Sequence, residues 1–267
     1  MAPEAEFFKP GNDISWLVKQ FEVIRCDVSC ILTDKFVPRE DAAIVFHFGN
    51  LPRILSPVDQ VLPPFFIAPL CPTANSIRLE GKTIGFIVIC KPTVLSRVLG
   101  ISMIAGNRIF IPIPEQIFGP VRGRMNESDS PAAKIDIFTE FINNLQQRPY
   151  VPDDTDDMYE KIIHSNFSTP LREVISQFKV SERTLQRKFR ERLGITPKML
   201  SRITKINYLW NSIGVSERID YQDLVFLGNY FDQTHFIKDF KAITGETPDH
   251  FFRRNLHLAK ILSGRES

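Results

Sequence analysis

From Trp16 to Ile89 the apolar residues come in short runs separated by Pro, Gly, Asn and Asp. The runs are WLVKQFEVI (16–24), AAIVFHF (42–48), FFIAP (65–69), SIRLE (76–80) and TIGFIVI (83–89). Short β-branched and aromatic stretches bounded in this way predict strands, and several at close spacing predict a small barrel or sandwich. After Lys91 the period changes. Pro92 to Gly100 reads as one short helix stopped by glycine. Ile135, Phe138, Phe141, Ile142 and Leu145 then recur every third or fourth position, as one face of a helix does. Residues 148–155 (RPYVPDDT) have linker composition. Beyond them helical periodicity takes over and strand signals stop. The pattern predicts an α+β chain of two domains. Residues 1–150 are expected to form a small β-barrel or sandwich with flanking helices, an effector or assembly domain. Residues 151–267 are expected to be all-α.

Within the second part, residues 169–194 (TPLREVISQFKVSERTLQRKFRERLG) lay out a specific device. Pro170 suits a first helical turn, and Leu171, Val174 and Ile175 give a short helix its apolar face, with Phe178 and Val180 in the connection. The Ser181 hydroxyl has the chemistry to cap a second helix by accepting from a free backbone N–H. In that helix Leu185, Phe189 and Leu193 form a buried stripe, while Arg183, Gln186, Arg187 and Arg190 face outward. A short helix, a tight turn and a second helix with long polar outer residues is the layout that docks in a major groove. Arg bonds guanine and Gln bonds adenine in a bidentate manner. A single such segment also suits any amphipathic surface helix.

A second copy changes the balance. Residues 220–245 (DYQDLVFLGNYFDQTHFIKDFKAITG) repeat the layout. Leu224, Val225 and Leu227 are expected on the inner face of the first helix, with Asn229 and Tyr230 at the turn. Asp232 is the expected cap of a helix with Phe236, Phe240 and Ile243 inward and Gln233, Thr234, Ile237 and Lys238 outward. Phe189 and Phe240 are equivalent positions 51 residues apart. The uninterrupted helical pattern of residues 195–213 predicts a long helix between the copies, a stiff spacer for two units addressing successive major-groove segments. The expected base contacts are therefore Arg183, Gln186, Arg187 and Arg190 in one unit and Gln233, Thr234, Ile237 and Lys238 in the other. Ser181, Lys198, Arg202, His235 and Lys241 are the expected phosphate contacts.

This segment resembles the DNA-binding domain of the AraC/XylS family of bacterial transcription regulators, over about residues 156–256. The family signature runs G-F-x-D-x-S-H-F-x-R-x-F-K-x-x-x-G-x-T-P-x-x-F-R, and this chain has NYFDQTHFIKDFKAITGETPDHFFR over residues 229–253. Asn229 stands where the turn glycine is usual, which is tolerable because Asn accepts the left-handed conformation. Tyr230 replaces phenylalanine, Val225 and Phe226 occupy a stretch that is usually Ile-Ala, and Lys238 replaces an arginine on the second reading helix. Residues 44–49, 66–69 and 85–92, with Leu95, Leu99 and Gly100, resemble a domain of unknown function found ahead of this DNA-binding domain. The resemblance implies a sequence-specific activator or repressor acting on promoter or operator duplex DNA, with RNA polymerase as a protein partner. Two other readings fit the residues: a non-specific or architectural DNA binder, and a small-molecule-modifying N-terminal domain with an accessory DNA-binding module. The outward Gln and Thr argue against the first. The lack of any convergent titratable set in residues 1–150 argues against the second.

Charge supports a polyanion partner. From Pro170 to Lys205 there are ten Lys/Arg and three Asp/Glu, although the whole chain carries only +2. Cys26, Cys30, Cys71 and Cys90 form no C-x-x-C pair and read as reduced thiols of a cytoplasmic protein. Cys26 and Cys30 on one strand lie about 13 Å apart, too far to share zinc with His47. Asp153, Asp154, Asp156 and Asp157 read as a solvated acidic run. No phosphate loop, nucleophile elbow or H-E-x-x-H motif occurs, so neither enzyme activity nor a cofactor or metal is expected. No apolar run is long enough to span a bilayer. The Ile135–Leu145 stripe either packs on its own β domain or makes a homodimer through residues 135–147. Thirteen of 22 phenylalanines lie in residues 1–150. Phe46, Phe48, Phe66 and Phe86 are the expected lining if the β domain keeps a cavity for an unidentified apolar effector; otherwise they fill the core.

Overall fold

A computed structural model describes residues 3–56, 58–106, 109–145, 149–165, 169–212 and 221–265, and the side chains of residues 28–30 lie outside that description. The first part is one seven-stranded antiparallel sheet in which β1 (Glu4–Phe8), β2 (Val18–Phe36), β7 (Asn75–Cys90), β3 (Ala42–Gly49) and β6 (Phe65–Ala68) follow in that order. Short β4 (Arg53–Ile54) pairs with β5 (Gln60–Val61) and with β7. The runs at 76–80 and 83–89 merge into the single strand β7. Gly81 does not end it, because its left-handed φ of 68° is absorbed where the register with β2 shifts between Val28 and Leu32. β1 was not foreseen; it pairs along β2 with Ala5 opposite Ile24.

Helices cover one face of the sheet: α1 (Pro92–Leu99), α2 (Glu115–Asn126), α3 (Pro131–Leu145) and α4 (Asp154–His164). In an extended chain successive side chains alternate between faces. Phe21, Phe46, Phe86 and Val88 therefore pack with Phe118 of α2, Phe138 of α3 and Tyr159 of α4, while Val45, Ile87 and Ile89 point the other way. The α3 stripe is spent here. Phe138 and Ile142 are fully buried against the chain's own sheet, so a dimer through this stripe would compete with that packing. Residues 146 and 147 lie outside the described residues.

The remaining helices are α5 (Leu171–Ser176), α6 (Glu182–Leu193), α7 (Pro197–Ser212), α8 (Tyr221–Leu227), α9 (Gln233–Thr244), α10 (Pro248–Arg253) and α11 (His257–Leu262). Residue 213, the last of the expected spacer, lies outside the described residues. The first helical unit shares the core of the sheet domain, since Leu185, Phe189 and Leu193 join the cluster that contains Phe46 and Tyr159. The second unit has its own cluster of Leu209, Trp210, Leu224, Phe236, Phe240 and Phe251. No helix among the described residues is long and apolar enough to cross a membrane.

The acidic run around residue 155 is not a solvated strand of linker. Asp153 caps α4, accepting from the N–H groups of Thr155 and Asp156, and the Asp156 carboxylate accepts from the Asp153 N–H at 2.9 Å to close a capping box. Arg192 of α6 then reaches across. It donates to Asp153 and Asp156, both at 2.6 Å, and to the Thr93 carbonyl of α1 at 2.7 Å. At the far end of the chain α11 lies against β2, and Ser263 Oγ accepts from the Val37 N–H at 3.2 Å.

Candidate nucleic-acid interface

The two helical units are built alike from local chemistry. Ser181 Oγ accepts from the Thr184 N–H at 3.3 Å to start α6, and Asp232 accepts from the His235 N–H at 2.7 Å to start α9. Each helix ends on a left-handed glycine, Gly194 with φ 80° and Gly245 with φ 78°. Gly194 also has no room for a side chain, because a Cβ there would stand 2.3 Å from the Met103 carbonyl oxygen. The turn before α9 uses Asn229 at φ 47°, the left-handed position anticipated for it. Leu185, Phe189 and Leu193 are buried in α6, as are Phe236, Phe240 and Ile243 in α9. Leu227 departs from its expected inner position and is 40% exposed. It ends α8 just before the chain turns away.

The structure leaves the outer faces open. Arg183, Gln186, Arg187 and Arg190 are exposed on α6, and Gln233, Thr234 and Lys238 are exposed on α9, with Ile237 half-buried. Gln186 donates to Glu182 at 2.8 Å and Arg187 pairs with Glu191 at 2.8 Å. Such exposed pairs are worth about 0–1 kcal/mol and yield readily to a better partner.

Between the units runs a groove floored by α7. Lys198, Ser201, Arg202 and Lys205 line it from α7, and Tyr230, His235 and Asp239 line it from the second unit. Three residues expected at phosphates, Lys198, Arg202 and His235, are thus brought together. Ser181 and Lys241 are exposed but not in this groove. Lys205 was missed, although its position seven residues after Lys198 puts the two on one helical face. Arg202 is committed within the protein, with Nε and Nη2 both 2.6 Å from Asp239 Oδ1. The Tyr230 hydroxyl donates to the other Asp239 oxygen at 2.8 Å, which explains a tyrosine where phenylalanine is usual. Lys205 Nζ sits 4.5 Å from the Tyr230 ring centre, and burial lowers its pKa.

A family model described as a helix-turn-helix domain matches residues 175–254, which run from α5 through α10. The chain carries an AraC-type helix-turn-helix domain and is a DNA-binding transcription regulator. Among solved structures it is similar to ToxT from Vibrio cholerae with an unsaturated fatty acid bound. That pair is 12% identical over 92% of this chain and 97% of the other, with a TM-score of 0.48. It is also similar to the AraC-like transcriptional activator CuxR, at 10% identity over 78% and 87% of the two chains and a TM-score of 0.29. No curated protein matches the chain. Both structural likenesses are distant, and the assignment rests on the domain match and on the duplicated units.

Ahead of the AraC-type domain, the sheet face away from α2 and α3 forms a partly open cavity of about 140 Å³. Its apolar wall includes Cys26, Val45, Phe66, Leu79, Ile87 and, from α11, Leu262. Of the four phenylalanines expected to line a cavity only Phe66 does. Phe46, Phe48 and Phe86 point to the opposite face and are core, because alternation along β3 and β7 sends them toward the helices. The polar groups at the wall are Glu22, Arg39, Asp41, His47, Asn75 and Thr83. Arg39 pairs with Glu22 at 2.8 Å. Burial lowers the His47 pKa to about 4, leaving a neutral ring whose Nδ1 lies 3.3 Å from the Pro63 carbonyl oxygen. Thr83 Oγ1 is buried with no hydrogen-bond partner among the described residues. Cys26 and Cys90 are buried, and the Cys30 side chain lies outside the described residues.

Proposed function

We propose that this regulator is sequence-specific, with α6 and α9 reading adjacent major-groove segments of one duplex. The observation that carries the proposal is the pair of like-built helices 51 residues apart, each with an open polar face, joined by a 16-residue helix about 24 Å long. Residues 1–150 act as the regulatory part and residues 151–267 as the DNA-binding part. The chain works in the cytoplasm by binding rather than by catalysis. Selection of bound DNA from a random pool by the full chain tests this. Two preferred half-sites and binding that weakens steeply with salt are expected, since neutralised phosphates release counterions. Arg187→Ala is expected to cost about 1–3 kcal/mol at the selected site and to relax preference at one or two positions. Lys198→Ala, at a position facing phosphate, should weaken all sequences alike. A pool that emerges without preference would make the domain an architectural binder.

The cavity supports a second element, a small effector. At about 140 Å³ it matches cavities that accept a benzene-sized molecule and falls short of the 300–1,000 Å³ usual for larger ligands. Its one guanidinium is already paired with Glu22, so a carboxylate would have to displace that partner. A neutral apolar molecule with one hydrogen-bonding group, met by Thr83 and His47, suits the wall. Because Leu262 belongs to α11, such a molecule would touch both parts of the chain and bias how they sit together. Thermal unfolding with a panel of small phenols and aromatic alcohols is expected to show stabilisation that depends on concentration. No response across the panel would leave the domain as a scaffold.

A further inference from the structure

We infer that the second reading unit selects an A·T-rich half-site by packing apolar side chains on thymine methyl groups, with Phe231 as its principal contact. The inference rests on the DNA-reading proposal above and adds what one half-site contains. Phe231 is 94% exposed, the most exposed large apolar side chain among the described residues. It directly precedes Asp232, the cap of α9, and so stands at the end of the helix that meets base edges in helix-turn-helix proteins. An exposed aromatic ring continuous with a DNA-reading face has the duplex as its nearest partner.

The spacing of 51 residues between Phe189 and Phe240 lets the two units be compared position by position. Arg183 of the first unit corresponds to Thr234 of the second, Gln186 to Ile237, and Arg187 to Lys238. The half-buried Val180 corresponds to the fully presented Phe231. The first unit thus offers guanidinium and amide groups, which suit the hydrogen-bonding edges of guanine and adenine. The second offers methyl groups and a ring, which suit the C5-methyl of thymine, with Gln233 left to meet adenine. Its charge agrees. Asp223, Asp232 and Asp239 stand against Lys238 and Lys241 between residues 221 and 245, so this unit draws less of its affinity from phosphates than the Arg-rich first unit does. Phe226, 85% exposed on α8, extends the same apolar character to the first helix of the unit.

The test uses the full chain and the DNA it selects. Deoxyuridine replaces thymidine in one half-site at a time, which removes the methyl and nothing else, and affinity is read by fluorescence anisotropy. In the half-site under α9 each contacted methyl should be worth about fourfold in wild-type affinity. Phe231→Ala should weaken binding and become insensitive to deoxyuridine at one position, because the ring and the methyl account for the same contact. Wild-type protein that binds its selected DNA tightly yet ignores deoxyuridine in that half-site overturns the inference and leaves the DNA reading intact. Wild-type protein that selects no sequence overturns both. If Phe231→Ala keeps full affinity and full deoxyuridine sensitivity but loses regulated transcription, the ring serves a protein partner and the inference is wrong.

Discussion

Replacing Arg192 with alanine is expected to destabilise the protein by about 3 kcal/mol, because it removes the nearer cationic partner of the buried Asp156 carboxylate and leaves it Arg97 at 3.6 Å. The Arg192 side chain is only 11% exposed and that of Asp156 is 7% exposed. The guanidinium bonds Asp153, Asp156, the Tyr150 hydroxyl and the Thr93 carbonyl, so one side chain ties α6 to α1 and to the start of α4. Arg187 lies on the same helix and provides the contrast. It is exposed, its Glu191 pair is worth about 0–1 kcal/mol, and Arg187→Ala should leave stability nearly untouched while impairing DNA binding. Urea unfolding of the two variants separates the roles, and a loss below about 1 kcal/mol for Arg192→Ala would refute the assignment.

Acid should erase part of that difference. Partial desolvation works to raise the Asp153 carboxyl, but the charge and hydrogen bond of Arg192 and two backbone N–H donors outweigh it and hold the pKa below its usual value. A carboxylate lowered in the folded state contributes stability above its unfolded pKa, near 3.9, and loses it as pH falls through the folded value. The gap between wild type and Arg192→Ala is therefore expected to be full at neutral pH and to narrow below about pH 4.

What could be read from the sequence follows from what is local. Ser181 and Asp232 as caps, with stripes spaced by three and four, placed α6 and α9 almost to the residue, because helix signals lie within one or two turns. The capping box at Asp153 and Asp156 was legible too, as two acidic residues three apart before a helix, but the run was read as charge rather than as geometry. Arg192 was not legible, since its partners lie up to 99 residues away. The cavity failed for a different reason. From Ala42 to Phe48 every residue of β3 is buried, so alternation separates Phe46 from Val45 but does not say which face the helices will cover. Leu262 at the cavity wall belongs to a helix from the other end of the chain, a contact that no periodicity contains.

That misreading sets up the other large effect. Phe46→Ala is expected to cost about 3–5 kcal/mol, the range for deleting a buried phenylalanine whose site cannot collapse. Phe46 is fully buried, with the rings of Phe65, Phe86, Phe118 and Phe138 centred 6.4–6.5 Å from its own. Two of those rings stand on the sheet and two on α2 and α3, so the void would open where the two layers meet. Rigid strands on one side and packed helices on the other leave little freedom to close it. Had Phe46 lined a ligand cavity, its removal would have enlarged a space that already exists and would have cost less. Phe66→Ala provides that comparison, since Phe66 borders the cavity and, among the described residues, touches two aromatic rings, those of His47 and Phe110. Thermal unfolding followed by tryptophan fluorescence suits the measurement, because Trp16 stacks on Tyr150 beside the core that holds Phe46. A clearly larger loss for Phe46→Ala than for Phe66→Ala is expected. Equal losses would mean that the helix-covered layer repacks as freely as the cavity wall, which five interlocked phenylalanine rings argue against.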